Sequence, residues 1–129
     1  GSRCRCRIRG RTPPGVRPDA YAVWAEGGHR VEFFLEYDTG TETLGRLVDK
    51  LPGYADLAAA GGPDLLVLFW LQTAAREADL RRLLRHQSPV PVATAAADLA
   101  RVLGAGPAGP VWLQVGTEGR RRLIDLTTR

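Results

Sequence analysis

Residues 31–54, VEFFLEYDTGTETLGRLVDKLPGY, decide how the chain reads. Phe33, Leu35 and Tyr37 alternate with Phe34, Glu36 and Asp38, which is a strand pattern. Side chains two apart on a strand share a face, so Glu36 and Asp38 point the same way at its C-terminal end. Two carboxylates ~4 Å apart repel by ~1 kcal/mol in water and by ~4 kcal/mol near a partly dry surface. A cation between them turns that cost into affinity. After a Thr/Gly turn, Leu44, Leu47, Val48, Leu51 and Tyr54 recur at helical spacing and make the inner face of a helix. Lys50 flanks that face, beside Leu47 and Tyr54, and can reach over the acidic end of the strand. Thr39-x-x-Glu42 fits a capping box, with Thr41 as a rival cap, which makes Glu42 a cap before it is a ligand. Pro52 and Gly53 are expected to kink or interrupt the helix.

Upstream, residues 19–24 form a short apolar strand with Asp19 near its start. A hairpin through Glu26-Gly27-Gly28-His29 carries Asp19 to the far end of the second strand, where Glu36 and Asp38 sit. Residues 3–11 alternate Arg with Cys4, Cys6, Ile8 and Gly10. They read as an edge strand whose charges block aggregation, or as the tail of a linker. A Pro/Gly turn follows at 12–18. Downstream, residues 55–60 add a further helical turn before Gly61-Gly62-Pro63. Asp64 opens the unbroken apolar run LLVLFWLQT, a strand expected to be central and parallel to a neighbour. Residues 74–87 read as a helix with Leu80, Leu83 and Leu84 inward and Arg76, Arg81, Arg82 and Arg85 outward. A short strand at 89–94, a short helix at 95–103 and a loop at 104–110 come next. Two final strands, 111–115 and 121–126, are joined through Thr117-Glu118-Gly119. This succession points to the α/β class, a mixed central sheet flanked by helices.

At 129 residues, 44% hydrophobic and 25% charged, the chain has the make-up of one globular domain with a real core. No apolar run reaches the ~18 residues of a membrane span, and no N-terminal signal pattern is present. Gly1-Ser2 reads as a tag scar and the Met-free chain as a fragment of something longer. The division expected is 1–17, scar plus basic arm, and 18–129, a single domain. The formal charge of +4 is uneven: residues 1–17 hold six Arg and no acid, so the remainder carries −2. Such an arm suits a phosphate backbone or is simply a solvated face. Seventeen Arg stand against one Lys, Lys50, whose compact ammonium has a readily shifted pKa.

Cys4 and Cys6, two apart with no nearby His, fall short of a zinc site and read as reduced thiols of an intracellular, cytoplasmic protein. There is no glycine-rich dinucleotide loop, no Walker loop and no nucleophile elbow, so no organic cofactor is expected. His29 and His86 have no partners at metal-ligand spacing and read as surface residues. What remains is the acidic cluster with Lys50.

The residues Arg17-Pro18-Asp19-Ala20, Phe33-Phe34-Leu35-Glu36-Tyr37-Asp38-Thr39-Gly40-Thr41-Glu42, Lys50-Leu51 and Tyr54 resemble the C-terminal domain of the replication-relaxation family. That family occurs on actinobacterial plasmids and integrative elements. The resemblance runs from about residue 17 to the closing strands, and Pro18 to Tyr54 is its specific part. It implies an upstream winged-helix domain and contact with DNA at a plasmid origin. The layout is also similar to the PD-(D/E)XK nuclease superfamily, the restriction-endonuclease-like fold. There an Asp on one strand and a Glu on the next bind Mg²⁺, and a Lys two residues on helps activate water. By position, Pro18-Asp19 matches the first motif and Glu36 the second. Asp38 stands where the Lys belongs, and Lys50 on the following helix is the candidate replacement.

The resemblance therefore implies phosphodiester hydrolysis, a metal-dependent DNA nickase or endonuclease. Asp19, Glu36 and Asp38 would bind Mg²⁺ or Mn²⁺, with Lys50 orienting water or neutralising charge and Gln72 and Glu42 supporting from behind. Arg76, Arg81, Arg82, Arg85, Arg120 and Arg121 are the candidate phosphate contacts. The alternatives are a nuclease-like fold without activity, serving DNA binding or assembly at a replication or transfer origin, and an interaction module whose acids are surface decoration. The sequence leaves monomer and homodimer open.

Overall fold

The computed structural model describes residues 2–7 (main chain), 18–61, 65–85 and 87–127. The expectations for 8–17, for Gly62-Pro63-Asp64 and for His86 lie outside them. Six strands form one mixed sheet in sequential order. The edge strand β1 (Ser2–Arg7) pairs antiparallel with β2 (Ala20–Glu26), and β2 with β3 (His29–Tyr37). The β2–β3 hairpin closes at Gly27 and Gly28, with φ of 58° and 82°. Both residues of such a two-residue turn need positive φ, which glycine adopts without steric penalty. The register pairs Glu26 with His29 and Ala20 with Leu35, which sets Asp19 beside the end of β3 as expected.

Strand β4 (Leu66–Leu71) lies parallel to β3, and β5 (Val92–Ala96) parallel to β4. Leu66, Leu68, Phe69 and Leu71 have no exposed surface, the outcome expected of a strand that is apolar on both faces. The β3–β4 crossover is a broken helix, α1 (Leu44–Asp49) and α2 (Leu51–Ala59), and the β4–β5 crossover is α3 (Ala74–Leu84). One face of the sheet packs Val67, Phe69, Leu71 and Val92 against Leu47, Leu51, Tyr54, Leu80 and Leu84. The other packs Phe33, Leu66, Leu68, Ala93 and Ala95 against Ala100 of α4 (Ala97–Val102) and Trp112, Leu123 and Leu126 of the closing segment. No helix among the described residues is long and apolar enough to cross a membrane.

Several sequence expectations are corrected. The cap of α1 is Thr43, whose hydroxyl accepts from Arg46 N at 3.2 Å, not Thr39 or Thr41. Thr39 and Thr41 instead share a hydrogen bond in the turn. Leu83 is exposed rather than inward. The two closing strands shrink to β6 (Leu113–Gln114), antiparallel to β5, and a single Trp112–Arg121 bridge. Residues Leu123–Asp125 form a 3-10 turn, because Leu123 and Leu126 both turn into the core and strand alternation would separate them.

Because β4 has no solvated face to relax into, Leu68→Ala is expected to destabilise the domain by about 2–5 kcal/mol. Urea unfolding checks this.

Candidate functional site

The end of β3 places Glu36 and Asp38 on the helix-covered face, with 1% and 3% of their surface exposed. A buried carboxylate is costly unless it is paired and hydrogen-bonded. Here each finds a different cation. Lys50 Nζ donates to Glu36 Oε2 at 2.9 Å, and the Tyr54 hydroxyl donates to Oε1 at 2.5 Å. Lys50 Nζ also lies 3.7 Å from Glu42 Oε1. The broken helix makes this clamp. Lys50 closes α1 and opens α2, where Pro52 lies in the first turn, the place a helix tolerates a residue without an N–H. Tyr54 follows one turn later, its N–H bonded to the Lys50 carbonyl. Lys50 and Tyr54 therefore reach one carboxylate from the two sides of the break.

Asp38 is held by Arg76, in the first turn of α3, through a bidentate pair whose Nη2–Oδ1 bond is 3.0 Å. Arg76 Nη2 also donates to the Glu42 carbonyl at 2.5 Å, and Gly40 N donates to Asp38 Oδ1 at 3.0 Å. Gln72 fixes the same loop by donating to the Thr39 carbonyl at 3.0 Å. Gly40 has φ of 83°, and a Cβ there would sit 3.2 Å from Gln72 Oε1. Gln72 thus supports the loop rather than the carboxylates, and Glu42 flanks Lys50 instead of capping α1.

Asp19 is exposed. Its Oδ2 accepts from Tyr37 N at 2.7 Å, and its own N donates to the Leu35 carbonyl at 3.1 Å. Burial holds Glu36 above the ordinary carboxylate range against the lowering effect of Tyr54 and Lys50, and the charge of Asp19 pushes it further up. Burial alone would lower Lys50, but its bond to Glu36 and the charges of Glu36, Glu42 and Asp19 outweigh that and raise it. Tyr54 is driven up by burial and by Glu36. Asp19, Glu36 and Lys50 thus share one electrostatic environment, built from the start of β2, the end of β3 and the helix break.

Asp38, expected to share an ion with them, is instead paired with Arg76. Arg76 forms a charged bidentate pair with both its oxygens, a closer tie than the separate Lys50 and Tyr54 bonds on Glu36, and no group of three or more His, Cys, Asp or Glu among the described residues is placed to hold a metal ion. A two-carboxylate site is a different matter. Mg²⁺ is commonly held by one or two carboxylates with waters and substrate phosphates, and Asp19 with Glu36 is a donor set of that kind.

The candidate phosphate contacts divide. Arg81, expected outward, is 7% exposed and donates to Thr94 Oγ1 and the Leu113 carbonyl at 3.0 and 2.9 Å; burial lowers its pKa. Arg120 pairs with buried Glu77 at 2.6 and 3.0 Å and donates to the Val111 carbonyl. Thr94 completes that cluster by donating to Glu77 at 2.7 Å. With Arg76 on Asp38, three of the six arginines tie α3 to the sheet and the closing segment. Arg82, beside Asp79, and Arg85 are exposed, and Arg121 is half-buried. Sequence reasoning missed Glu77 and the Tyr54 hydroxyl as ties. Both carried a signal: Glu77 shares a helical face with Leu80 and Leu84, and Tyr54 lies one turn from Lys50.

The replication-relaxation family model matches residues 3–64, just under half of the chain, which includes Asp19, Glu36, Lys50 and Tyr54. No curated protein matches the chain.

Removing Lys50 takes away two influences that hold Glu36 down. A raised carboxyl pKa gives stability that is present below 4.5 and lost as pH rises through the folded value. Lys50→Met raises Glu36 further, so its stability deficit against the wild type is expected to be small at a pH below 4.5 and to widen at a pH well above it, towards about 3–5 kcal/mol where the carboxylate ionises without its cation. Adding Glu36→Gln should abolish that slope in urea titrations at the two pH values.

Proposed function

We propose that the chain is a nuclease-like domain of the replication-relaxation family that acts on DNA, with Asp19, Glu36 and Lys50 as its hydrolytic centre and a PD-(D/E)XK-like arrangement of motifs. The observation that carries this reading is the bond of Lys50 to Glu36, with Asp19 set beside that strand end by the β2–β3 register and its charge felt by both groups. The replication-relaxation match over residues 3–64 supports DNA as the partner, and a plasmid or transfer origin is the proposed target.

Asp19 and Glu36 are the residues that would hold Mg²⁺ or Mn²⁺. When bound, the ion polarises a phosphate and lowers the pKa of its water. Tyr54 holds Glu36 Oε1 and thereby fixes the direction of Oε2. Lys50, raised in pKa, stays protonated at neutral pH. Its proton is held too firmly for it to act as acid or base, so it orients water or neutralises charge building on the phosphoryl oxygens. Asp38 and Arg76 keep the adjoining loop in place. Arg82 and Arg85 are the exposed cations of α3 left to meet phosphate.

One observation favours a second reading, a nuclease-like module that binds DNA without cutting it. Glu36 already has a protein donor on each oxygen, so the cluster is satisfied without an ion. Nicking of supercoiled plasmid in Mg²⁺ or Mn²⁺ separates the two. The first reading predicts relaxation by the wild type and a loss of about 100-fold or more in Asp19→Ala and Glu36→Gln. DNA binding without nicking gives the second. Variants that cut as fast as the wild type reject the assignment.

A further inference from the structure

The two donors on Glu36 differ in how firmly they are placed. Tyr54, on Oε1, is 3% exposed, and its ring packs on Phe34 with centroids 5.1 Å apart. Lys50, on Oε2, has a quarter of its side chain exposed and a second carboxylate within reach, Glu42 Oε1 at 3.7 Å. Glu42 is half-buried, and its main chain is fixed by Arg76, which donates to its carbonyl. The donors also differ in charge. A divalent cation and the neutral phenol of Tyr54 can share one carboxylate. A divalent cation and an ammonium on the same carboxylate repel each other, and at a few ångströms in a partly dry site salt screens that little. Glu36, Glu42 and Asp19 all act on Lys50. When ionised, three carboxylates against one ammonium leave a charge of −2, which one divalent cation cancels.

We propose that Lys50 is an exchangeable counter-ion: a divalent cation held by Asp19 and Glu36 displaces its ammonium from Glu36 Oε2 onto Glu42. The inference rests on Asp19 and Glu36 as the ion site, but not on the domain cutting DNA. A short swing suffices, because Nζ already lies 3.7 Å from Glu42. Lysine suits the exchange, being a point charge on a flexible stem, whereas an arginine fork would have two parallel bonds to break. A pair with half-buried Glu42 is weaker than one with buried Glu36. The exchange therefore frees the ammonium towards phosphate when the ion is in place.

Lys50 is the single lysine of the chain, so lysine labelled with ¹³C at Cε gives one side-chain NMR signal. The test is a Mg²⁺ titration of that signal at one fixed alkaline pH, without DNA. In the wild type it should shift and saturate, moving towards the position it holds in Glu36→Gln, where Lys50 has lost the Glu36 charge. In Asp19→Ala it should stay at its starting position over the same range. Glu42→Gln should raise the Mg²⁺ dissociation constant by about 2- to 5-fold in calorimetry, the worth of a half-exposed ion pair. In a Lys50→Gln background the same change should cost less. Unfolding midpoints verify that each variant is folded, and the wild-type titration does not depend on them. The proposal is overturned if the ion binds and the signal stays, if the signal moves equally in Asp19→Ala or away from the Glu36→Gln position, or if no ion binds. An equal cost of Glu42→Gln in both backgrounds also overturns it, making Glu42 a direct ligand. The predicted shift in a protein that nicks no plasmid supports the exchange and rejects the hydrolytic reading, so the two fail separately.

Discussion

Glu36 is the constraint from which the rest of this domain is arranged. A carboxylate with almost no contact with water cannot stay there without donors, because an isolated buried charge is far more costly than the packing around it returns. The chain answers with a helix broken at Lys50 so that an ammonium and a phenol, one turn apart, take one oxygen each. Pairing stops short of restoring an ordinary carboxylate: burial still outweighs it, and the nearby charge of Asp19 adds to the imbalance. One ammonium facing three carboxyl groups, Glu36, Glu42 and Asp19, at the C-terminal end of a parallel pair of strands is what makes the cluster a candidate site rather than a finished salt bridge.

The same device recurs twice on the same face. Arg76 holds Asp38 and the loop beyond it, and Arg120 with Thr94 holds Glu77 beneath α3. Both are arginines at partly dry positions, where a planar guanidinium serves two oxygens at once. Lysine appears once, at the helix break beside Glu36. Arginine makes the ties to Asp38 and Glu77, and the single lysine makes the tie to Glu36.

Much of the fold could be read from the residues. The Gly27-Gly28 hairpin, the buried run of β4, the inner helical face from Leu44 to Tyr54 and the break near Pro52 all follow from local pattern. The convergence of Asp19 with Glu36 followed from hairpin register alone. The failures share one cause. Arg81, Leu83, Thr43 and the closing 3-10 turn were settled by tertiary packing, which turned a charged residue in, an apolar one out, and bent a strand-like run so that two leucines could enter one core. Asp38 shows the same limit at the site. Strand parity put it on the face of Glu36, but nothing local announced that Arg76, 38 positions away, would claim it.

The most direct test of the central claim is an anomalous difference map from a crystal soaked in Mn²⁺. The account predicts a peak at oxygen-ligand distance, ~2.0–2.6 Å, from the carboxylates of Asp19 and Glu36, with Asp38 still on Arg76. A peak at Asp38, or none at Glu36 in a crystal that binds the ion elsewhere, would contradict it.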